Sequence, residues 1–208
     1  MTSELGLRER KKQRTRELIA ETAWRLFADR GFDLVPVAEI AGAAEVSEAT
    51  VFNYFPTKED LVFHRMEAFE AELVSAIRER GPNESIVRAF GRFALNARGF
   101  LASDDPGANE GMRAAARVIT GSPALMARER EILESYTNTL AGFIAEERGM
   151  ARDDVEPWVV ANALIGIHRA LIAYVHREAL AGVENRRIAR DMRAQGERAL
   201  ARLEHGIG

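Results

Sequence analysis

Val37-Ala-Glu-Ile-Ala-Gly-Ala-Ala-Glu-Val-Ser-Glu-Ala-Thr-Val-Phe-Asn-Tyr-Phe-Pro-Thr-Lys58 reads as two short helices joined by a tight turn. Val37, Ile40, Ala41 and Ala44 share one face of the first helix. Val51 and Phe55, four apart, share one face of the second, and Val46 plugs the corner between them. Ser47 suits the N-cap of the second helix, because its hydroxyl can accept a backbone N–H that has no partner inside the first turn. The pattern, over about residues 36–55, is a helix-turn-helix, whose second helix can enter a DNA major groove.

The run Val-Ser-Glu-Ala-Thr-Val-Phe-Asn-Tyr-Phe-Pro-Thr-Lys-Glu-Asp-Leu at 46–61 resembles the recognition-helix region of TetR-family transcriptional repressors. So do Leu26-Phe27, Gly31-Phe32 and Ile40-Ala41 ahead of it. The likeness covers residues 10–65, beyond which only length and helical character fit. Carried over by position, it implies that Glu48, Ala49, Thr50, Phe52 and Asn53 face the groove while Tyr54 and Lys58 approach phosphates. The residue types suit those roles. Asn pairs bidentately with adenine, and Ala49, the Thr50 methyl and the Phe52 ring can touch thymine methyls. Glu48 either accepts from a cytosine amino group or points away. Ser47 at the helix start and Arg14 from the preceding basic run complete the DNA-binding set. Two positions depart from the family pattern. Val35-Pro36 stands where hydroxyl residues are common, and Glu45 stands where the turn usually has glycine, which implies a non-glycine residue at positive φ.

Upstream, Ile19, Ala23, Leu26 and Phe27 make one stripe of an amphipathic helix from about Thr15 to Arg30, closed by Gly31. Pro36 suits the first turn of the next helix. Ahead of the stripe, Arg8 to Arg16 holds six basic residues against the single acid Glu9. This is read as a phosphate- or minor-groove-contacting arm. Downstream, Thr57 and Asp60 form a capping box opening one helix from Lys58 to Arg80, with Val62, Met66, Phe69, Leu73 and Ile77 along one side. Asn83 is read as the cap of a helix to about Ser103. A short helix over 112–119, a long one from Pro123 to Gly149, an apolar one from Pro157 to His176 and a last one from Glu184 to His205 follow. No strand pattern appears.

The chain of 208 residues is 47% hydrophobic and 29% charged, with net charge −3 and no cysteine, which excludes disulfides and thiolate metal sites. No secretory signal and no membrane-crossing apolar run are read, so a cytoplasmic protein without a membrane partner is expected. His64, His168, His176 and His205 fall in no metal-binding spacing, and the serines are placed as caps. No metal, no cofactor, no catalytic residue and no enzymatic activity are therefore expected. Asn162, His168 and Arg169 interrupt the apolar run and call for partners, although Arg169 equally suits a solvent edge.

The expectation is an all-α chain. Residues 1–60 form a three-helix helix-turn-helix DNA-binding domain with a basic arm, and 61–208 a helical ligand-binding and dimerisation domain. The ligand set is read as Phe90, Phe93, Met112, Met126, Tyr136, Phe143, Asn162 and His168, apolar walls with sparse polar anchors that suit a small lipophilic effector. The dimer surface is read as Trp158, Leu164, Ile165, Leu171 and Ile172. The resemblance implies that the last two long helices pair with their mates. As a homodimer the protein would bind a palindromic double-stranded DNA operator, as a repressor released by its effector. The alternative is a helical-bundle interaction module without DNA binding, which leaves Thr50, Asn53, Tyr54 and Lys58 beside the basic run unexplained.

Overall fold

The computed structural model describes residues 2–64, 66–103, 105–151 and 153–205, and every regular element among them is helical. The chain divides into two compact units, residues 1–65 with 117–128, and residues 66–116 with 129–208.

The first unit contains α1 (Thr2–Arg30), α2 (Val37–Ala43), α3 (Glu48–Tyr54) and α4 (Asp60–Phe63), with the end of α7 (Ala108–Thr120) and the start of α8 (Pro123–Arg148). Ile19, Ala23 and Phe27 of α1 share a core with Ile40, Val51, Phe55 and Leu61. Gly31 takes φ 86°, and the Phe27 and Phe32 rings meet at 5.0 Å. Asp60 ties this unit together. Its carboxylate accepts the Thr57 N–H at 3.0 Å, its own N–H donates to the Thr57 hydroxyl at 3.3 Å, and Arg128 donates to its other oxygen at 3.0 Å. Ser122 donates to Asp33 at 2.8 Å in the same unit.

Glu45 adopts φ 56° in the turn before α3, as its sequence position demanded. A side chain there costs about 1–2 kcal/mol, and glycine's extra freedom in the unfolded chain takes back roughly 0.5–1 kcal/mol. Glu45→Gly is therefore expected to gain about 0.5–1 kcal/mol in urea unfolding. A midpoint below that of Glu45→Ala would contradict this.

The second unit contains α5 (Met66–Arg78), α6 (Ile86–Ala94), the 3-10 turn η1 (Gly99–Ala102), most of α7 and α8, α9 (Val155–Leu180) and α10 (Asn185–His205). Its core is built on Leu73, Ile77, Phe90, Tyr136, Leu140, Ile144, Leu164 and Ile188. α10 packs along α9 and also against α6 and η1. That closeness requires Gly196, where a Cβ would lie 2.2 Å from Leu95 Cδ2.

Several elements differ from the sequence reading. The basic segment is not an extended arm but part of α1, which begins at Thr2 rather than near Thr15. Arg, Lys, Gln and Glu are good helix formers, and Gln13 bonds Glu17 one turn on at 2.8 Å. The helix expected over 58–80 is two helices, α4 ending at Phe63 and α5 starting at Met66. Leu61 and Phe63 are buried in the first unit, whereas Leu73 and Ile77 are buried in the second, so two cores claim the two parts. α6 is capped by Ser85, whose Oγ accepts the Arg88 N–H at 3.2 Å, rather than by Asn83. It stops at Ala94, because the Arg98 guanidinium takes the Phe93 and Asn96 carbonyls. Pro36 is the N-cap of α2 rather than its first helical residue. α9, contrary to the sequence reading, is long and apolar enough to cross a bilayer by length and composition alone. Here Leu164, Ile165 and Leu171 bury one side of it in the core.

Candidate nucleic-acid interface and ligand cavity

Ser47 starts α3 by accepting the Thr50 N–H at 3.1 Å, and the two hydroxyls lie 2.8 Å apart. Val51 and Phe55 are buried, which fixes the phase of the helix. Glu48, Ala49, Phe52 and Asn53 are consequently exposed, with Thr50 and Tyr54 half-buried. Phe52 leaves 46% of its surface open on this outer side.

Lys58 departs from the sequence reading, in which it approached a phosphate. Its ammonium donates to the Phe32 carbonyl at 2.6 Å and sits 4.2 Å from the Phe32 ring centroid and 5.6 Å from that of Phe27. Burial lowers its pKa. This lysine therefore ties the residue after Gly31 to the start of α4. Arg14 is exposed on α1, and Arg16 lies over the Phe55 ring at 5.1 Å.

In the second unit the eight residues read as ligand-binding do not converge. Phe90 and Tyr136 are core residues, and Met112 and Phe143 pack partly buried against them. Met126 is exposed and belongs to the first unit. Asn162 lines a cavity of about 340 Å³ with Arg130, Thr137, Trp158 and Arg169, and its amide donates to the Trp158 carbonyl at 2.8 Å. His168 lines a different cavity of about 220 Å³, with Phe69, Asn96, Arg98, His176 and several aliphatic side chains.

An aromatic stack backs this second cavity. Phe69 lies parallel to His168 at 5.1 Å and to Tyr136 at 5.7 Å, and meets Phe93 at 5.1 Å. Tyr136 donates its hydroxyl to the Met66 carbonyl at 2.5 Å, at the first residue of α5. Arg98 lies over Phe93 at 4.0 Å and Phe69 at 5.4 Å, and burial lowers its pKa. His168 Nδ1 is buried without a hydrogen-bond partner. Burial first, and the Arg98 charge second, push the His168 pKa down to about 4, so the ring is neutral at pH 7. The sequence reading places Phe69 on the apolar stripe of its helix and gives Arg98 no role. The available signal for Arg98 was its place directly after the apolar face of α6, at a chain reversal before Gly99. Among the described residues no group of three or more His, Asp or Glu is placed to hold a metal ion.

The surface read as the dimer interface is also corrected. Leu164, Ile165 and Leu171 are buried within the chain itself and present no area for a second copy to cover. The opposite side of α9 carries the exposed apolar residues Val155, Trp158, Val159 and Leu180, with Ala170 and Ala173 between them.

Two family profiles match the chain, "Bacterial regulatory proteins, tetR family" over residues 19–64 and "MftR C-terminal domain" over residues 97–206. The chain belongs to the TetR family. Among relatives, it is 31% identical over 155 residues to the HTH-type transcriptional regulator TcmR of Streptomyces glaucescens, covering 72% of this chain and 67% of that protein. It is 28% identical over 174 residues to MftR of Mycobacterium tuberculosis, named as a mycofactocin biosynthesis transcriptional regulator, covering 80% and 81%. The fold is that of native NalD, the secondary repressor of the MexAB-OprM efflux pump in Pseudomonas aeruginosa. That structure matches with TM-score 0.58 and 17% identity, covering 90% of this chain and 97% of NalD. TetR-family regulators bind DNA, often bind small-molecule effectors, and dimerise. This chain is accordingly a transcriptional regulator of the DNA-binding repressor type, with transcriptional regulators rather than enzymes as its relatives.

Proposed function

We propose that this TetR-family protein is a cytoplasmic homodimeric repressor that binds a palindromic operator and is released by a small, largely lipophilic effector. The observation that carries the DNA reading is α3 itself. Its inner side is fixed by Val51 and Phe55 and its start by Ser47, which leaves Glu48, Ala49, Phe52 and Asn53 as an open outer face. Asn53 is assigned to a base edge, Ala49, the Thr50 methyl and Phe52 to thymine methyls, and Tyr54 and Arg14 to phosphates. Lys58 is assigned a positioning role, since its ammonium holds the Phe32 carbonyl. The first unit carries DNA binding and the second carries effector binding and dimerisation. The second copy is placed on the exposed side of α9, continuing onto α10.

A ligand acts by favouring a state in which α5 moves and the two recognition helices lose register with half-sites roughly one DNA turn apart or a little more. The stack of His168, Phe69 and Tyr136, ending at the first residue of α5, supports that route.

Titration of operator and unrelated duplexes against rising salt tests the reading. Affinity should fall steeply with salt for both. Asn53→Ala should relax the preference at one position per half-site by about 1–3 kcal/mol while leaving the salt slope unchanged. Salt-independent binding, or no binding to any duplex, would instead favour the interaction-module alternative. Unaltered discrimination by Asn53→Ala would remove the base contact.

A further inference from the structure

Among the described residues four polar side chains line the 220 Å³ cavity, Arg98, His168, Asn96 and His176, and none of them is a carboxylate. Arg98 contributes a guanidinium whose described hydrogen bonds all leave from Nη1, to the Phe93 and Asn96 carbonyls, and no carboxylate neutralises it within ion-pair distance among the described residues. Among the described residues the acid that acts on it is Glu72, with which it forms no ion pair. His168 contributes an imidazole that is neutral at pH 7, with Nδ1 buried and unpartnered. An N–H left without a partner is rarer in protein interiors than an acceptor left without one. The ring proton is therefore placed on Nε2, as a donor. Asn96 and His176 also line it, and the rest of the wall is apolar, with Leu171, Val175 and Met192 beside Phe69.

A charged donor next to a neutral one, in front of an apolar wall, complements a single negative charge on a planar oxygen pair. A phosphate dianion would need more cationic charge than one guanidinium. Arg98 is exposed, and a neutral ligand would leave its guanidinium with water and two carbonyls but no counter-charge. Size sets a further limit. A closed cavity of 150 Å³ holds benzene, so this cleft, open on one side, covers about nine non-hydrogen atoms of a ligand.

We propose that this cavity binds a compact monocarboxylate, its carboxylate held by Arg98 and His168 and its apolar body against Leu171, Val175 and Met192. This deepens the effector reading above and rests on it for the regulatory consequence. The bound molecule lies against His168 and Phe69, and Phe69 in turn stacks on Tyr136, whose hydroxyl donates to the Met66 carbonyl.

The test uses matched pairs that differ only in charge, benzoate with benzamide and octanoate with octanamide, titrated calorimetrically into the whole chain at pH 7. At least one acid is expected to bind tenfold or more tightly than its amide. Arg98→Met keeps an unbranched stem against Phe93 and is expected to erase that preference while leaving the amide within about twofold of wild type. The His168 ring resonances in the wild-type chain should shift with the acid and not with the amide, an observation that needs no variant. Equal binding of acid and amide, no binding of either acid, or a preference that survives Arg98→Met overturns the assignment. Operator affinity measured with each acid separates the two readings. If the acid binds by these rules and operator affinity is unchanged, the carboxylate site stands and the effector reading falls. If an amide releases operator while neither acid binds, the effector reading stands and this site falls.

Discussion

Val159→Glu is expected to leave the chain folded, convert the protein to a monomer and lower operator affinity by about a hundredfold or more. The argument begins with exposure. Val159 is 60% exposed and Val155 74%, and Trp158 on the same side of α9 keeps 37% of its surface open. Such a row of large apolar groups on a helix marks a surface that another body covers. A carboxylate at Val159 meets water in the monomer and costs little there. In a symmetric pair each copy brings one to the shared surface, where desolvation and mutual repulsion act together. One recognition helix on one half-site then has to bind without its mate, which removes the gain from simultaneous engagement. Sedimentation should report the monomer while circular dichroism retains the helical signal. A variant that stays dimeric and binds operator normally would move the interface off α9. Leu164→Glu and Leu171→Glu, which the sequence reading favours, answer a different question. Those side chains are buried inside one chain, so a charge there unfolds it whether or not a dimer exists.

The contrast between those substitutions shows what periodicity can and cannot resolve. In α3 the phase was legible, since Val51 and Phe55 are the apolar pair at helical spacing and Ser47 marks the start. The positive φ at Glu45 was legible through the family resemblance, which has glycine at that turn position. In α9 apolar residues occur all round, with Val159 and Leu164 alike as candidates for either side. Such a pattern identifies a helix but not which side meets its own core. The break between α4 and α5 was hidden for a related reason. Val62, Met66 and Phe69 continue one stripe smoothly on paper, and only the burial of Leu61 and Phe63 in a separate core interrupts it.

The cavity was the least legible feature. Phe69, Arg98, His168 and Met192 come from four separate segments, and no local spacing links them. His168 was visible as a polar break in an apolar run. Arg98 was not, since an arginine near a glycine at a chain reversal is ordinary on a surface. Its significance comes from two aromatic rings beneath it and the neutral imidazole nearby.

That imidazole also makes stability depend on pH in a stated direction. His168 ionises at about 4 in the folded chain against an ordinary value of 6.5. Between those values the unfolded chain binds the proton and the folded chain does not, so stability is full above about 6.5 and falls as pH drops toward 4. At pH 5 the contribution lost is about 2 kcal/mol relative to pH 7. Other groups titrate in the same unit, among them Glu84, Asp191 and Glu204, whose pKa values are held down by hydrogen bonds from Arg92, Arg190 and Ser85. Burial lowers the His176 pKa and adds to the effect, whereas burial raises that of Glu129 and opposes it. The measurement is therefore a difference between two proteins. His168→Phe keeps a ring to stack on Phe69 and carries no titrating group, while leaving His176, Glu129 and Arg98 in place. Urea unfolding at pH 7 and pH 5 should show wild type losing roughly 2 kcal/mol more than His168→Phe over that interval. Identical losses in the two proteins would mean that His168 takes up its proton in the folded state as readily as in water, and that its ring is not the neutral donor the carboxylate site requires.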